Sequence, residues 1–373
     1  MVHVQAVGMG LGHRVRWLSL SLLAALAAPF ALASEPKSDE TVVFFPTTAA
    51  LSWDGSRWTV PIHGWIYEPE RNSIWRREVV EEVIEQLNLE ADSEDGRRCA
   101  DRAALFLVDN EGGKKLRIRI AGHVETLGKS EGNGHFEATL SLDAAEVRRH
   151  AKDRVLSFEA VTSEGDPRHF RGRVLLPPQY GVSVISDIDD TIKVTEVRDR
   201  REFLRHTFVL PFEAVPGMAA AYAAWAEGGA TFHYVSSSPW QLYEPLEQFT
   251  SQEGFPAGAY HLKHFGLKDS TVLDLFKSAS ETKPPIIRAI LDRYPHHRFI
   301  FVGDSGEKDP EVYGLIARER PTQLLRVFIR RVDGADNRDE RFTKAFAGIP
   351  AAKWTLFSDP SALGADLVVP VKK

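Results

Sequence analysis

A chain of 373 residues with 43% hydrophobic and 26% charged side chains has the make-up of a folded globular protein, and its length exceeds that of a usual single domain, so two domains are expected. Its 46 basic and 52 acidic residues give a net charge of −6, which argues against wholesale nucleic-acid binding and against a polybasic membrane anchor. The lone cysteine, Cys99, excludes an intramolecular disulfide and a multi-cysteine metal site, and reads as a small buried side chain.

Residues 1–33 read as an export signal rather than as part of the fold. Basic His13, Arg14 and Arg16 precede the apolar run Trp17–Leu32, and Ala31-Leu-Ala33 is a small-residue cleavage site. The run falls short of the roughly 18 residues that spanning a bilayer requires and carries Pro29 near its end. The mature chain is therefore expected to begin at Ser34 and to be periplasmic or extracellular.

Residues 34–178 read as a β-rich, sandwich-like domain. Candidate strands are Thr41–Phe45, Trp58–Trp65, Ala104–Val108, Leu116–Ala121, His135–Leu140, Val155–Val161 and His169–Leu176, with turn signals at Asp54-Gly, Glu111-Gly-Gly and Gly132-Asn-Gly. Only Ile74–Leu89 has helical spacing. Trp53, Trp58, Trp65 and Trp75 are read as core. Pro177-Pro178 is a stiff junction into the second domain, 179–373, where strands at Val182, Thr231, Arg298 and Leu324 alternate with helices near Gly217–Glu227, Trp240–Gln252 and Asp309–Glu319. That alternation specifies an α/β, Rossmann-like parallel sheet with helices on its faces.

The chemistry sits where the first of these strands ends, in Ser186-Asp187-Ile-Asp189-Asp-Thr191. Residues i and i+2 of an extended chain project to one side, so Asp187 and Asp189 can face one small volume beyond the strand's carboxyl end, where ligands of open α/β sheets bind. Two carboxylates at 4 Å repel by roughly 4 kcal/mol at an effective dielectric near 20, so a cation between them is expected, and Mg²⁺ is the natural one. A calcium loop of the EF-hand kind would want glycine at Ile192 and glutamate at Arg198.

Here the chain resembles the haloacid-dehalogenase superfamily of Mg²⁺-dependent phosphatases, whose nucleophile motif is D-x-D-x-T. Further stretches match in order: Thr231–Val235 running into Ser236, Lys283 ahead of the third strand, and His297–Val302 running into Gly303-Asp304-Ser-Gly-Glu-Lys-Asp309. The wording around them, across about residues 180–335, is similar to phosphatidate phosphatases of the actin-patch-protein type. The resemblance implies a haloacid-dehalogenase-type domain without a large cap, Asp187 as nucleophile, Asp189 as acid and base, and Lys283 as a third catalytic residue. It also implies phosphoryl binding at Ser236, Ser237 and Thr191, and a Mg²⁺ site drawn from Asp187, Asp189, Asp304 and Asp309.

Short connections after the first two motif strands imply a site open to the surface, able to take a phosphate carried on a phospholipid at a membrane interface. Phe212, Trp240, Leu242 and Tyr243 are the side chains expected at its mouth. Two other functions remain open at this stage, a phosphatidate-binding sensor without turnover and a phosphatase for polynucleotide or protein phosphates. Gly303-Asp-Ser305-Gly also resembles the nucleophile region of trypsin-like proteases, but a strand precedes it, no second glycine follows Gly306, and disulfides are impossible.

Overall fold

The computed structural model describes residues 35–69, 81, 84, 87–264 and 279–368. The expected signal segment, Trp75 and most of the expected helix Ile74–Leu89 lie outside the described residues. Among the described residues no helix is long and apolar enough to cross a membrane.

The first part of the chain forms β1 (Thr41–Phe45), β2 (Thr47–Thr48), β3 (Ala50–Leu51), β4 (Arg57–Glu68), α1 (Glu94–Ala104), β5 (Asp109–Asn110), β6 (Lys115–Ile120), β7 (His123–Lys129), β8 (His135–Asp143), α2 (Ala144–His150), β9 (Val155–Ala160) and β10 (Arg171–Leu175). One sheet is built on β4, which pairs antiparallel with β1, β3, β5 and β8. The other runs β2-β10-β9-β6-β7. Their inner faces meet in one core: Val42, Phe44, Val60 and Ile62 from the first sheet pack with Ile118, Ile120, Leu156, Phe158 and Val174 from the second.

The period-2 alternation of strands then sends the other side chains of β1 and β4 outward. Val43, Phe45, Trp65 and Tyr67 are buried in a different core, shared with the second half of the chain. That half forms β11 (Gly181–Ser186), α3 (Arg200–Leu204), α4 (Met218–Glu227), β12 (Thr231–Pro239), α5 (Tyr243–Gln252), β13 (Gly258–Lys263), α6 (Ala279–Arg293), β14 (His297–Asp304), α7 (Asp309–Glu319), β15 (Leu324–Arg330), α8 (Asp339–Ala345) and β16 (Trp354–Phe357). Its sheet is parallel throughout, in the order β13-β12-β11-β14-β15-β16. Val184 and Ile185 of β11 are both fully buried, on opposite faces, as a strand covered by helices on two sides requires. The chain leaves β11 toward β12 on one side and β14 on the other, so a crevice opens at their carboxyl ends.

Several expectations need correction. Ala104–Val108 is not a strand but the end of α1 and the turn after it; Ser93 caps that helix by accepting a hydrogen bond from the Gly96 N–H at 2.9 Å, with Glu94 and Asp95 in the first turn. Strands β2, β3, β5, β7, β13 and β16 and helices α1, α2, α3, α6 and α8 add to the anticipated set. Trp53 is 72% exposed rather than core.

The aromatic mouth is the largest revision. Trp240, Leu242 and Tyr243 are buried, and Trp240 packs against Phe45 at 4.1 Å between ring centroids and edge-on to His63 at 4.6 Å. Phe212 is half-buried, with the Arg102 guanidinium 3.9 Å above its ring. Trp240 and Tyr243, both against Phe45, bind the β sheets to the parallel sheet and are not exposed at a mouth, and the Phe212 ring lies 4.8 Å from Lys193 Nζ. Trp240→Ala should therefore destabilise the protein by about 3–5 kcal/mol, the usual loss for a buried aromatic. Urea unfolding checks this, and the variant should lose activity on micellar and soluble substrates alike.

Candidate functional site

All the sequence-predicted site residues collect at the crevice. Asp187, Asp189 and Thr191 follow β11, Ser236 and Ser237 lie near the carboxyl end of β12, Lys283 comes from α6, Asp304 ends β14, and Asp309 starts α7. The side chains themselves are deeply buried, Asp187 and Lys283 at 1% and Asp304 and Asp309 at 0% exposure, so the carboxylates lie below the surface rather than open to it.

The Lys283 Nζ binds Asp187 Oδ1 at 2.8 Å, Asp309 Oδ1 at 2.6 Å and Glu307 Oε2 at 3.3 Å. Burial opposes its charge, but those three carboxylates hold the ammonium well above the usual lysine range. The other Asp187 oxygen, Oδ2, accepts from the Thr191 hydroxyl at 3.2 Å. Burial pushes the Asp187 carboxyl well above the usual carboxylate range; Lys283 pulls it back, while Asp309, Glu307 and Asp304 push it further up. Gly303 lets this cluster close, because a Cβ there would overlap the Asp309 carboxylate and the Tyr313 ring.

Asp304 supplies the clearest sign of a cation. Its Oδ1 accepts from the backbone N–H groups of Gly306 at 2.5 Å and Glu307 at 3.1 Å, yet its Oδ2 is buried with no hydrogen-bond partner among the described residues. Burial, then Asp309 and Glu307, drive this carboxyl well above its ordinary range. One oxygen each from Asp187, Asp304 and Glu307 lies within 4.8 Å of the others. An all-oxygen, mostly carboxylate donor set with an orphaned buried oxygen fits a hard divalent cation such as Mg²⁺.

Asp189 looks away from that cluster. Its Oδ1 accepts from Lys193 Nζ at 3.0 Å and the Thr195 hydroxyl at 2.9 Å, and its Oδ2 from the hydroxyls of Ser236 at 3.0 Å and Ser238 at 2.7 Å. Burial would raise this carboxyl, but the Lys193 ammonium and these hydrogen bonds outweigh it and hold it at about 2. Because the folded value is depressed, Asp189 contributes stability above the unfolded value of 3.8, and that contribution is lost as pH falls toward 2. Lys193→Met should leave a buried carboxylate unpaired and cost about 3–5 kcal/mol at neutral pH. Denaturant titrations should show the deficit shrinking on acidification, as the freed carboxyl, now raised by burial, takes up a proton.

Sequence reasoning missed three contributors. Lys193, at 2% exposure, could have been found from its i+4 spacing to Asp189. Glu307 stands inside the third motif but had no role there. Asp190, in the left-handed region at φ 54°, accepts backbone N–H groups of Thr195, Glu196 and Val197 at 2.8–2.9 Å and so fixes the loop behind Asp187. Of the serines, Ser236 is committed to Asp189, whereas the Ser237 hydroxyl is buried with no partner among the described residues.

Residues 182–331 match the family model described as the catalytic domain of phosphatidate phosphatase APP1. The phosphatidate phosphatase APP1 of Saccharomyces cerevisiae is 38% identical over 156 residues, 40% of this chain and 26% of the yeast protein. An uncharacterized protein of Schizosaccharomyces pombe is 30% identical over 190 residues, 48% of this chain and 31% of its own length. The chain thus matches less than a third of either relative. A solved D,D-heptose bisphosphate phosphatase from B. bronchiseptica, complexed with magnesium and phosphate, overlaps with a TM-score of 0.30 and 17% identity, covering 49% of this chain and 96% of that one, a likeness too slight to add to the sequence match. The resemblance of the segment from about 180 to 335 to actin-patch-type phosphatidate phosphatases is borne out.

Proposed function

We propose that a chain carrying this catalytic-domain match is a Mg²⁺-dependent phosphomonoesterase that converts phosphatidate to diacylglycerol and phosphate. The observation that carries the reading is the setting of Asp187: it stands at the carboxyl end of the central strand, with Lys283 on one oxygen and Thr191 on the other, beside the orphaned Asp304 oxygen. Both aspartates of the nucleophile motif are present, which supports turnover over binding alone.

Asp187 attacks phosphorus, forming an aspartyl-phosphate as the bond to the leaving alkoxide breaks, and Asp189 gives that oxygen a proton. Asp189 then takes a proton from water, whose oxygen displaces phosphate from Asp187 and restores the carboxylate. In the resting site the Asp189 carboxyl is held low, so it must take up a proton from solvent as the substrate binds before it can give one to the alkoxide. A phosphate dianion arriving beside it, and drawing the Ser236 and Ser238 hydroxyls onto its own oxygens, would remove two of the bonds that keep the carboxyl low. Lys283 sits on the attacking carboxylate and offsets charge on the phosphoryl oxygens as they gain it. Ser237, with its unsatisfied hydroxyl, is the remaining donor at the end of β12. When bound by Asp187 and Asp304, with Glu307 in reach, Mg²⁺ supplies charge neutralisation between carboxylate and phosphate.

The exposed aromatic group of Trp53, Tyr180 and His296 is no lip of this site, because Tyr180 and His296 precede β11 and β14 and so lie at the opposite, amino ends of the strands. The test is release of inorganic phosphate from phosphatidate in mixed micelles, beside lysophosphatidate, nucleotides, an oligonucleotide 5′-phosphate and a phosphopeptide. Preference for phosphatidate supports the proposal. Preference for nucleotide or peptide phosphates overturns the lipid substrate, and saturable phosphatidate binding without release would make the protein a sensor.

A further inference from the structure

Away from the acidic crevice, three imidazoles converge from three strands. His63 lies on β4, His135 opens β8, and His264 directly follows β13. One ring nitrogen from each lies within 4.8 Å of the others, and His63 Nε2 stands 3.2 Å from His135 Nδ1. Two imidazole nitrogens each bound to a tetrahedral zinc ion at about 2.0–2.1 Å stand about 3.4 Å apart, so this pair is already close to ligating separation. His264 is exposed at the rim, and its ring meets His135 edge-on at 4.5 Å between centroids, near enough to swing onto a shared ion.

We propose that His63, His135 and His264 form a second metal site, selective for a zinc-class divalent ion, that ties the exit of β13 to β4 and β8. Imidazole donors suit zinc, copper and nickel and reject Mg²⁺, so this site and the carboxylate site would take different ions. The rings are preorganised by aromatic packing: His63 stacks edge-on with Phe45 at 4.7 Å and with Trp240 at 4.6 Å. Burial, then the neighbouring imidazoles, keeps His63 and His135 in the neutral form that metal ligation needs. The Glu137 carboxylate, 3.9 Å from His63 Nε2 and well exposed, is in reach of the fourth position, which water would otherwise fill. The ion would couple the sandwich to the parallel sheet at the same junction that Trp240 packs.

The experiment uses the full chain, stripped with chelator, loaded with Zn²⁺ alone and exchanged into metal-free buffer. Metal analysis should find about one zinc retained per chain, the load of a single closed site, and the unfolding midpoint should rise with zinc. His135→Gln should lose both effects; because His135 is buried, the rim variant His264→Gln provides the same test where folding is not at risk. Asp304→Asn should retain the zinc, which separates this site from the acidic one. Wild-type protein that retains no zinc overturns the proposal, as does zinc that stays bound in His264→Gln and His135→Gln but leaves with Asp304→Asn. In either case the His63–His135 contact would be an ordinary hydrogen bond between neutral rings.

Discussion

Asp187→Asn is expected to lower single-turnover phosphate release by about ten-thousandfold, equivalent to about 5.4 kcal/mol of barrier. An amide cannot become a phosphoryl acceptor, and the neighbouring carboxylates among the described residues are tied elsewhere: Asp309 and Glu307 by Lys283, Asp304 by the backbone N–H groups of Gly306 and Glu307, and Asp189 by Lys193 and two serines. The fold should survive, since burial already disfavours the charged form of Asp187 and an amide fills the same space. Circular dichroism and urea unfolding would establish that the variant is folded. A folded variant that kept more than about a tenth of the wild-type rate, a loss of only about 1.4 kcal/mol, would exclude Asp187 as nucleophile.

Asp304→Asn should separate stability from function. Because burial and neighbouring acids raise the folded-state carboxyls of Asp187 and Asp304 above the unfolded value of 3.8, the folded chain binds more protons than the unfolded one once pH passes that value. Stability of the metal-free protein should therefore fall as pH rises from there toward the raised folded values. Mg²⁺ should restore it, raising the unfolding midpoint at neutral pH and losing that effect as protons compete on acidification. The Asn variant removes one buried negative charge while its side-chain carbonyl can still accept from the Gly306 and Glu307 N–H groups. Its metal-free midpoint should exceed that of the wild type, Mg²⁺ should no longer move it, and activity should be lost or require far more metal. A lower metal-free midpoint with the Mg²⁺ shift intact would contradict the assignment of Asp304 as a ligand.

Much of the parallel-sheet half is legible because its signals are local. An apolar strand ending in Asp187 and Asp189, and a second ending in Asp304, place their carboxylates by the geometry of strand ends alone, and α7 occupies Asp309–Glu319 as expected. What stayed hidden depends on packing between distant segments. Trp240 after Pro239 looks like an exposed helix start until β1 brings Phe45 against it. The same strand explains why Val43 and Phe45 are as apolar as Val42 and Phe44: β1 is covered on both faces, by the second β sheet on one and by the parallel-sheet half on the other. Helix α1 is hidden because Ala104–Val108, its last residue and the turn after it, reads as a strand when the Ser93 cap is not weighed. Lys193 and Glu307 were visible in the motifs, but their roles appear only when the loops after β11 and β14 fold back on the crevice.

The most direct test of the account is to catch the phosphoryl group on the enzyme. Wild-type protein, mixed with phosphatidate and Mg²⁺, quenched in acid within a turnover and digested, should yield the peptide containing Asp187 carrying one phosphoryl group, labile to hydroxylamine as an acyl phosphate is. The Asp187→Asn protein should yield none. Steady release of phosphate with no phosphoryl group trapped on Asp187, or with the group found on Ser236 or Ser237 instead, would contradict it.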